Sequence, residues 1–164
     1  MRRMILPLML FAFVGCQVDV TVEMTDAEKA AIADTVEALN SEWLAALEAA
    51  DIDRALTYHH QGPNVGWGFE GEIVFGFDNI ANAWRPYFAT LDSQDFTVQE
   101  SRVEVLAPTV ACINQVVTGT STDTAGVTGP ELVYAITSVW LLRDGEWKMY
   151  FGQESLPTPE TESM

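Results

Sequence analysis

The spacing of apolar residues predicts helices in the first half of the chain. Apolar side chains recur at steps of three and four from residue 32 onward, which predicts one long amphipathic helix over 26–50. Thr25 and Glu28 have the spacing of a capping box, so this helix should begin at residue 26. Asp51 can cap a second, short helix that ends near residue 58.

A stretch rich in glycine and aromatic residues, 64–76, separates these helices from the next one. It lacks the Lys-Ser/Thr pair of a phosphate-binding loop, so we interpret it as a hairpin that turns near Glu70 and Gly71. Asp78 should then cap a third helix, which Pro86 is expected to kink or break. The apolar face of this helix is expected to carry Ile80, Trp84, Phe88 and Leu91.

From about residue 94 the apolar period changes to two, which is typical of strands. Asp144 and Gly145 lie between two apolar runs and indicate a two-residue hairpin turn. We therefore predict a single α+β domain over 25–156, with helices on one face of a sheet, followed by a disordered tail over 157–164. The predicted strand regions are 96–105, 110–119, 132–142 and 147–153.

The strongly acidic composition narrows the classes of partner. The 164 residues include 24 acidic and 8 basic side chains, for a formal net charge of −16 at pH 7. Such a surface repels phosphate backbones and anionic lipid headgroups, so we expect no nucleic-acid partner and no electrostatic docking on membranes. Cys16 and Cys112 are too few for a disulfide framework or a cysteine-based zinc site.

The N-terminus has the layout of a secretory signal. Two arginines precede an apolar run over residues 4–14, which is shorter than the roughly 20 residues that a membrane-spanning helix needs. The sequence therefore predicts a signal peptide over 1–15 and export of the protein from the cytoplasm.

The segment Phe13-Val14-Gly15-Cys16 resembles a bacterial lipobox, in which a small residue precedes an invariant cysteine. The resemblance implies that Cys16 becomes a lipidated N-terminus and that 16–24 tethers the domain to the membrane. An ordinary signal peptide that happens to contain a cysteine is the alternative. The expected location is the bacterial cell envelope, as a periplasm-facing or outer-membrane lipoprotein. If Cys16 is not lipidated, the protein is expected to be secreted.

Several short motifs follow one another in an order that carries a family resemblance. They are Trp43, Ala46, Ala50-Asp51, Glu70-Gly71, Gly76, Asp78-Asn79-Ile80, Trp84, the run from Val139 to Met149, and Ser155. Over about 27–156 the chain resembles the nuclear-transport-factor-2-like (NTF2-like) superfamily, specifically its SnoaL-like or DUF4440-like bacterial branch. The resemblance implies a cone-shaped, curved antiparallel sheet packed on three helices from the N-terminal half, with a pocket at its open end. It also implies homodimers formed through the outer face of the sheet.

The last predicted strand departs from this branch at two positions. Members of the branch often carry histidines where Phe151 and Gln153 stand in this chain. Phenylalanine has no titratable group, and glutamine cannot act as a general base near neutral pH. The superfamily includes isomerases, cyclases, dehydratases and proteins that only bind ligands, and this departure favours a binding protein.

The turn at 144–145 predicts which residues of the last two strands share a face. In that register Phe151 lies opposite Ser138. Gln153 lies opposite Ile136, so the shared face is a largely apolar wall with two polar positions, as expected of a ligand pocket. The pairs nearer the turn are Trp147 with Leu142 and Met149 with Trp140. Together with residues that the resemblance places near the pocket, the candidate ligand-binding set is Trp43, Tyr58, His59, Trp67, Trp84, Tyr87, Ser138, Phe151 and Gln153.

Candidates for catalysis are few. Tyr58 or His59 could serve as acid or base if the protein is an enzyme. Glu154 and Glu104 have the opposite strand parity and are expected to face away from the pocket. Cys112, alone in a strand, is expected to be an inert core residue. No spacing of ligand-type residues indicates a metal site, and we expect neither a metal nor a cofactor.

Three functions remain open on the sequence. The favoured one is a non-catalytic envelope protein, lipidated or not, that binds an apolar or aromatic small molecule in an aromatic-lined pocket. The second is an enzyme of the isomerase, cyclase or hydratase kind that uses Tyr58 or His59. The third is a dimeric interaction domain without a ligand, in which side chains fill the cone.

Overall fold

The computed structural model describes residues 23–69 and 71–156. The predicted signal peptide, the lipobox cysteine Cys16, most of the tether and the predicted tail lie outside the described residues. Three helices and six strands follow one another: α1 (Asp26–Glu48), α2 (Ile52–Leu56), β1 (Gly66–Phe69), β2 (Glu72–Phe75), α3 (Phe77–Phe88), β3 (Leu91–Ala107), β4 (Val110–Asp123), β5 (Leu132–Arg143) and β6 (Glu146–Ser155).

The first two helices begin where the sequence predicts. The Glu28 backbone N–H donates to Thr25 Oγ1 at 3.2 Å, and the Thr25 N–H donates to Glu28 Oε2 at 2.8 Å, which confirms the capping box. The Asp51 carboxylate accepts from the Arg54 N–H at 3.1 Å and caps α2. Because these caps satisfy backbone donors that helices leave unpaired, a local sequence signal was enough to place both starts.

The third helix begins differently from the prediction. Gly76, with φ of +90°, is its N-cap, and no side chain caps it, so the prediction that Asp78 caps α3 is wrong. A positive φ is easily adopted by glycine, which lets the chain turn sharply from β2 into the helix. Leu91 lies in β3 and not on the helix. Pro86 lies in the last turn, so α3 continues through it to Phe88.

All six strands form one curved sheet in the order β2-β1-β6-β5-β4-β3. The hairpin that joins β1 to β2 and the turn at Asp144 and Gly145 are confirmed, the latter with φ of +54° and +83°. Most neighbouring strands pair antiparallel, but β1 pairs in parallel with β6. The structure thus confirms the predicted α+β cone, with one parallel pair that short-range sequence patterns did not indicate.

The core lies between the concave face of the sheet and the helices. Val36, Trp43 and Leu47 on α1 are buried and pack toward β3 and β4. In β4 the buried inward residues alternate with less buried ones. Within the described part of the chain, no helix is long and apolar enough to cross a bilayer. The packing fills the narrow end of the cone and leaves the wide end to be lined by side chains from several elements.

Candidate functional site

An open cavity of about 430 Å³ occupies the wide end of the cone. This volume falls in the range of small-molecule sites. Aromatic side chains are the most numerous group in its wall, namely Trp43, Trp67, Phe69, Trp84, Tyr87, Phe88, Phe96 and Tyr134. Aliphatic residues complete the apolar surface, and the polar lining residues are Glu72, Gln94 and Glu154. The arrangement can bind a molecule with an apolar body and a small number of polar groups.

Tryptophan rings from three elements pack against one another in the cavity wall. The ring centroids of Trp67 in β1 and Trp84 in α3 are 4.9 Å apart with an interplanar angle of 85°. Trp43 in α1 lies 5.7 Å from Trp67. Such contacts stabilise aromatic pairs beyond their burial, so the rings hold one another in fixed positions.

Glycine at position 152 makes the position of Trp67 possible. Trp67 pairs with Gly152 across the parallel β1–β6 ladder. A Cβ atom at Gly152 would overlap the six-membered ring of Trp67. The indole can therefore pack closely against β6 because this residue has no side chain.

His59 lies behind the tryptophan wall, not in the cavity lining. It is 2 % exposed, and its ring makes edge-to-face contact with Trp84 at 5.3 Å. Neither ring nitrogen has a hydrogen-bond partner among the described residues. Burial lowers the pKa of His59 to about 4, so the imidazole is neutral at pH 7.

Backbone hydrogen bonds from β6 hold this histidine in place. The Met149 N–H donates to the Tyr58 carbonyl at 2.8 Å, and the His60 N–H donates to the Met149 carbonyl at 2.8 Å. The segment that follows α2 is thereby paired with the sheet. His59 is consequently fixed in the interior, where a neutral ring is tolerated and a charged one is not.

The polar groups of the cavity come from the ends of strands. Gln94 in β3 donates through Nε2 to Ser121 Oγ at 3.0 Å, and its buried Oε1 has no partner among the described residues. Burial, followed by the nearby Tyr87 and Glu154, raises the pKa of Tyr134. The residues that line the cavity include two carboxylates, Glu72 and Glu154, and no lysine, arginine or histidine.

A β-bulge in β6 changes which of its residues face the cavity. The predicted pairs next to the turn, Trp147 with Leu142 and Met149 with Trp140, are confirmed. Beyond them Tyr150 is an extra residue, so the predicted pairing of Phe151 with Ser138 and of Gln153 with Ile136 is wrong.

The bulge moves Phe151 and Gln153 to the outer face of the sheet. Phe151 pairs with Val139 and Gln153 with Thr137, and neither lines the cavity. Glu154 instead lines it, so the prediction that this carboxylate faces away is also wrong. Glu104 pairs with Cys112 on the outer face, as its parity predicted.

The other predicted site residues divide into two groups. Trp43, Trp67, Trp84 and Tyr87 line the cavity. Tyr58 does not, and its hydroxyl donates to Glu42 Oε2 at 2.9 Å. Ser138 is fully buried beside the cavity and accepts from Trp140 Nε1 at 3.0 Å. Sequence reasoning missed several lining residues, including Glu72, Gln94, Phe96, Tyr134 and Glu154. Tyr134 could have been found, because it shares the strand parity of Ile136.

The predicted catalytic candidates do not reach the cavity. Tyr58 and His59 are both outside its lining. Cys112 lies half-buried on the outer face, not in the core as predicted, and burial raises the pKa of its thiol. No group of three or more histidine, cysteine or acidic residues in the described ranges has the geometry of a metal site.

Solved structures with this architecture define the class of protein. An NTF2-like superfamily protein from Salmonella enterica serovar Typhimurium superposes with a TM-score of 0.71 at 14% identity, over 82% of this chain and 96% of that one. A putative dehydratase of the NTF2-like family from Streptomyces avermitilis gives 0.70 at 14% identity, over 79% and 98%. The association domain of C. elegans CaMKII gives 0.62 at 19% identity, over 80% and 99%. At these identities the similarity shows a shared NTF2-like fold.

The sequence itself identifies the family. The model of the SnoaL-like domain matches residues 36–159, most of the chain. The chain therefore belongs to the SnoaL-like domain family within the NTF2-like superfamily, as the sequence motifs predicted. No curated protein matches it significantly.

Proposed function

We propose that this protein binds an apolar or aromatic small molecule in the cavity at the wide end of the cone. The observation that carries the proposal is the cavity itself, about 430 Å³ in volume and walled mainly by aromatic and aliphatic side chains. An interaction domain without a ligand would have a cone filled by its own side chains. The described residues instead leave this cavity open. Burial of a ligand against these rings would supply most of the binding free energy.

Binding without catalysis is favoured by the placement of the acid–base candidates. His59 is sealed behind tryptophans, and Tyr58 is hydrogen-bonded to Glu42 outside the cavity. An enzyme is the second candidate, supported by the fold shared with a putative dehydratase. Its acid–base groups would come from the titratable side chains among the described lining residues, which are Glu72, Tyr87, Tyr134 and Glu154.

A substitution that fills the cavity is expected to abolish binding without unfolding the protein. Ala83 is exposed on α3 and lines the cavity, so Ala83→Trp should occupy ligand space without entering the packed core. N-Phenyl-1-naphthylamine, a neutral probe whose fluorescence rises in apolar surroundings, should bind the natural protein. The variant should bind it at least about tenfold more weakly.

Ala38→Trp provides the matched control, since Ala38 is exposed on α1 and does not line the cavity. The free energy of unfolding should change by less than about 1 kcal/mol in both variants, as is usual at exposed sites. Equal probe affinity in the two variants, or no binding to the natural protein, would contradict the proposal.

We propose further that the protein is exported and anchored in the bacterial envelope by a lipid on Cys16. The lipobox-like segment before Cys16 supports this location. Cells fed radioactive palmitate should label the protein, and Cys16→Ser should remove the label while Cys112→Ser keeps it. A natural protein that is released unlabelled would show that the segment is an ordinary signal.

Self-association through the outer face of the sheet is the assembly we propose. Phe75 is 57% exposed at the β2 edge, and Val133 on β5 is 44% exposed. Apolar area of this kind favours a partner surface. Light scattering should give twice the chain mass, and Phe75→Glu should give a monomer. Val127→Glu, at a loop residue that is 63% exposed, is the control and should remain dimeric. A monomeric natural protein at high micromolar concentration would refute the proposal.

A further inference from the structure

The charged side chains among the described residues that line the cavity are all acidic. Glu72 and Glu154 both line it, and none of its lining residues is basic. Tyr134 lies near enough to Glu154 for the carboxylate to influence its phenol. The net charge of the chain is −16, so the field of the whole molecule has the same sign. An anionic ligand would therefore meet repulsion both on approach and in the bound state.

The uncharged part of the cavity wall favours a positively charged ligand. Tryptophan faces attract cations through the ring quadrupole, most strongly among the aromatic residues, and Trp43, Trp67 and Trp84 all contribute to this wall. Gln94 Oε1 is a buried acceptor without a donor among the described residues. An acceptor left unpaired is costly, and an ammonium N–H would satisfy it.

We infer that the cavity selects a ligand with a positively charged amine on an apolar or aromatic body. The aromatic wall would bury the body, and the carboxylates of the lining would attract the amine. Fatty acids, phosphates and other anions are disfavoured by the same groups. This inference rests on the proposed function, because it specifies the ligand class of that cavity.

Three naphthalene probes of matched shape test the inference on the full chain. They are 1-naphthylmethylamine, which is cationic at pH 7.5, the neutral 1-naphthalenemethanol and the anionic 1-naphthoate. Each would be titrated as a competitor of N-phenyl-1-naphthylamine at low and at high salt. We expect the cation to bind about tenfold more tightly than the anion, with the alcohol between them, and its advantage to shrink as salt is added.

Substitution of single carboxylates should locate the source of this preference. Glu154→Gln and Glu72→Gln should each reduce the affinity for the amine about fivefold and leave the affinity for the alcohol within about twofold. Unchanged alcohol binding also shows that the variant is folded. Glu37→Gln removes the same charge from an exposed position on α1 and should change neither affinity.

The possible results separate the inference from the function on which it rests. Equal binding of all three probes, or tighter binding of the anion, would overturn the charge preference and leave ligand binding intact. An equal loss of amine affinity in Glu37→Gln and in the two cavity variants would assign the preference to the overall charge and overturn the local site. Failure of every probe, including the neutral alcohol, would overturn the proposed function as well.

Discussion

The free energy of unfolding should fall by about 3 kcal/mol between pH 7 and pH 4 through His59 alone, as its pKa shift from 6.5 to about 4 requires. The folded protein holds the imidazole neutral, whereas the unfolded chain protonates it below its ordinary pKa. The contribution is therefore fully present above about pH 6.5 and is lost as the pH falls toward 4. Carboxylates also titrate in this range, so a matched variant is needed to isolate the histidine.

His59→Leu should remove this part of the acid sensitivity. Leucine has a similar volume and no charge, and both ring nitrogens that it replaces lack partners among the described residues. The variant should thus be about as stable as the natural protein at pH 7 and more stable at pH 4.5. Urea unfolding at several pH values measures the difference. His60→Gln is the control, since it removes the neighbouring and less buried histidine. Parallel profiles for the natural protein and His59→Leu would disprove the assignment.

Gly152→Ala should destabilise the domain by up to about 3 kcal/mol, the cost of overpacking a full core. The new Cβ would overlap the ring of Trp67. Trp67 cannot retreat easily, because Trp43, His59 and Trp84 pack around it. We also expect weaker binding of N-phenyl-1-naphthylamine, because a displaced indole would alter the cavity wall.

Gly68→Ala is the matched control for this substitution. Gly68 lies in the adjoining strand on the outer face, where a Cβ would meet Gln153 Cγ at 3.2 Å. That neighbour is a flexible side chain, so the control should cost less than about 1 kcal/mol. Urea unfolding compares the two variants. If both alanines are tolerated equally, the contact between Trp67 and the β6 backbone does not constrain the fold.

Local signals were sufficient where a feature depends on neighbours in sequence. The capping box at Thr25, the Asp51 cap and the turn at Asp144 and Gly145 are each formed by residues a few positions apart, and all three are confirmed. The family motifs predicted the NTF2-like fold for the same reason, as an ordered set of such signals. The cap of α3 was missed because Gly76 acts through its backbone conformation and not through a side chain.

The candidate site was predictable only in part. Trp43, Trp67, Trp84 and Tyr87 were expected near the pocket, and they line the cavity. Large aromatic rings on elements that cover the concave face have few other places to pack, so their type and position indicated the wall. His59 was also expected at the pocket. The structure places it behind that wall, since the segment after α2 pairs with Met149 and draws it into the interior.

The sequence by itself determined the helices, the hairpin turns, the class of fold and the aromatic character of the cavity. Only the tertiary structure decided which β6 residues face that cavity. One extra residue, Tyr150, reverses the alternation, so that Gly152 and Glu154 face inward while Phe151 and Gln153 face outward. A strand pattern has a period of two, and a single bulge therefore exchanges its two faces. The bulge depends on how β6 pairs with β5, and this long-range pairing is absent from the local pattern. The parallel pairing of β6 with β1, which places Trp67 over Gly152, is equally long-range.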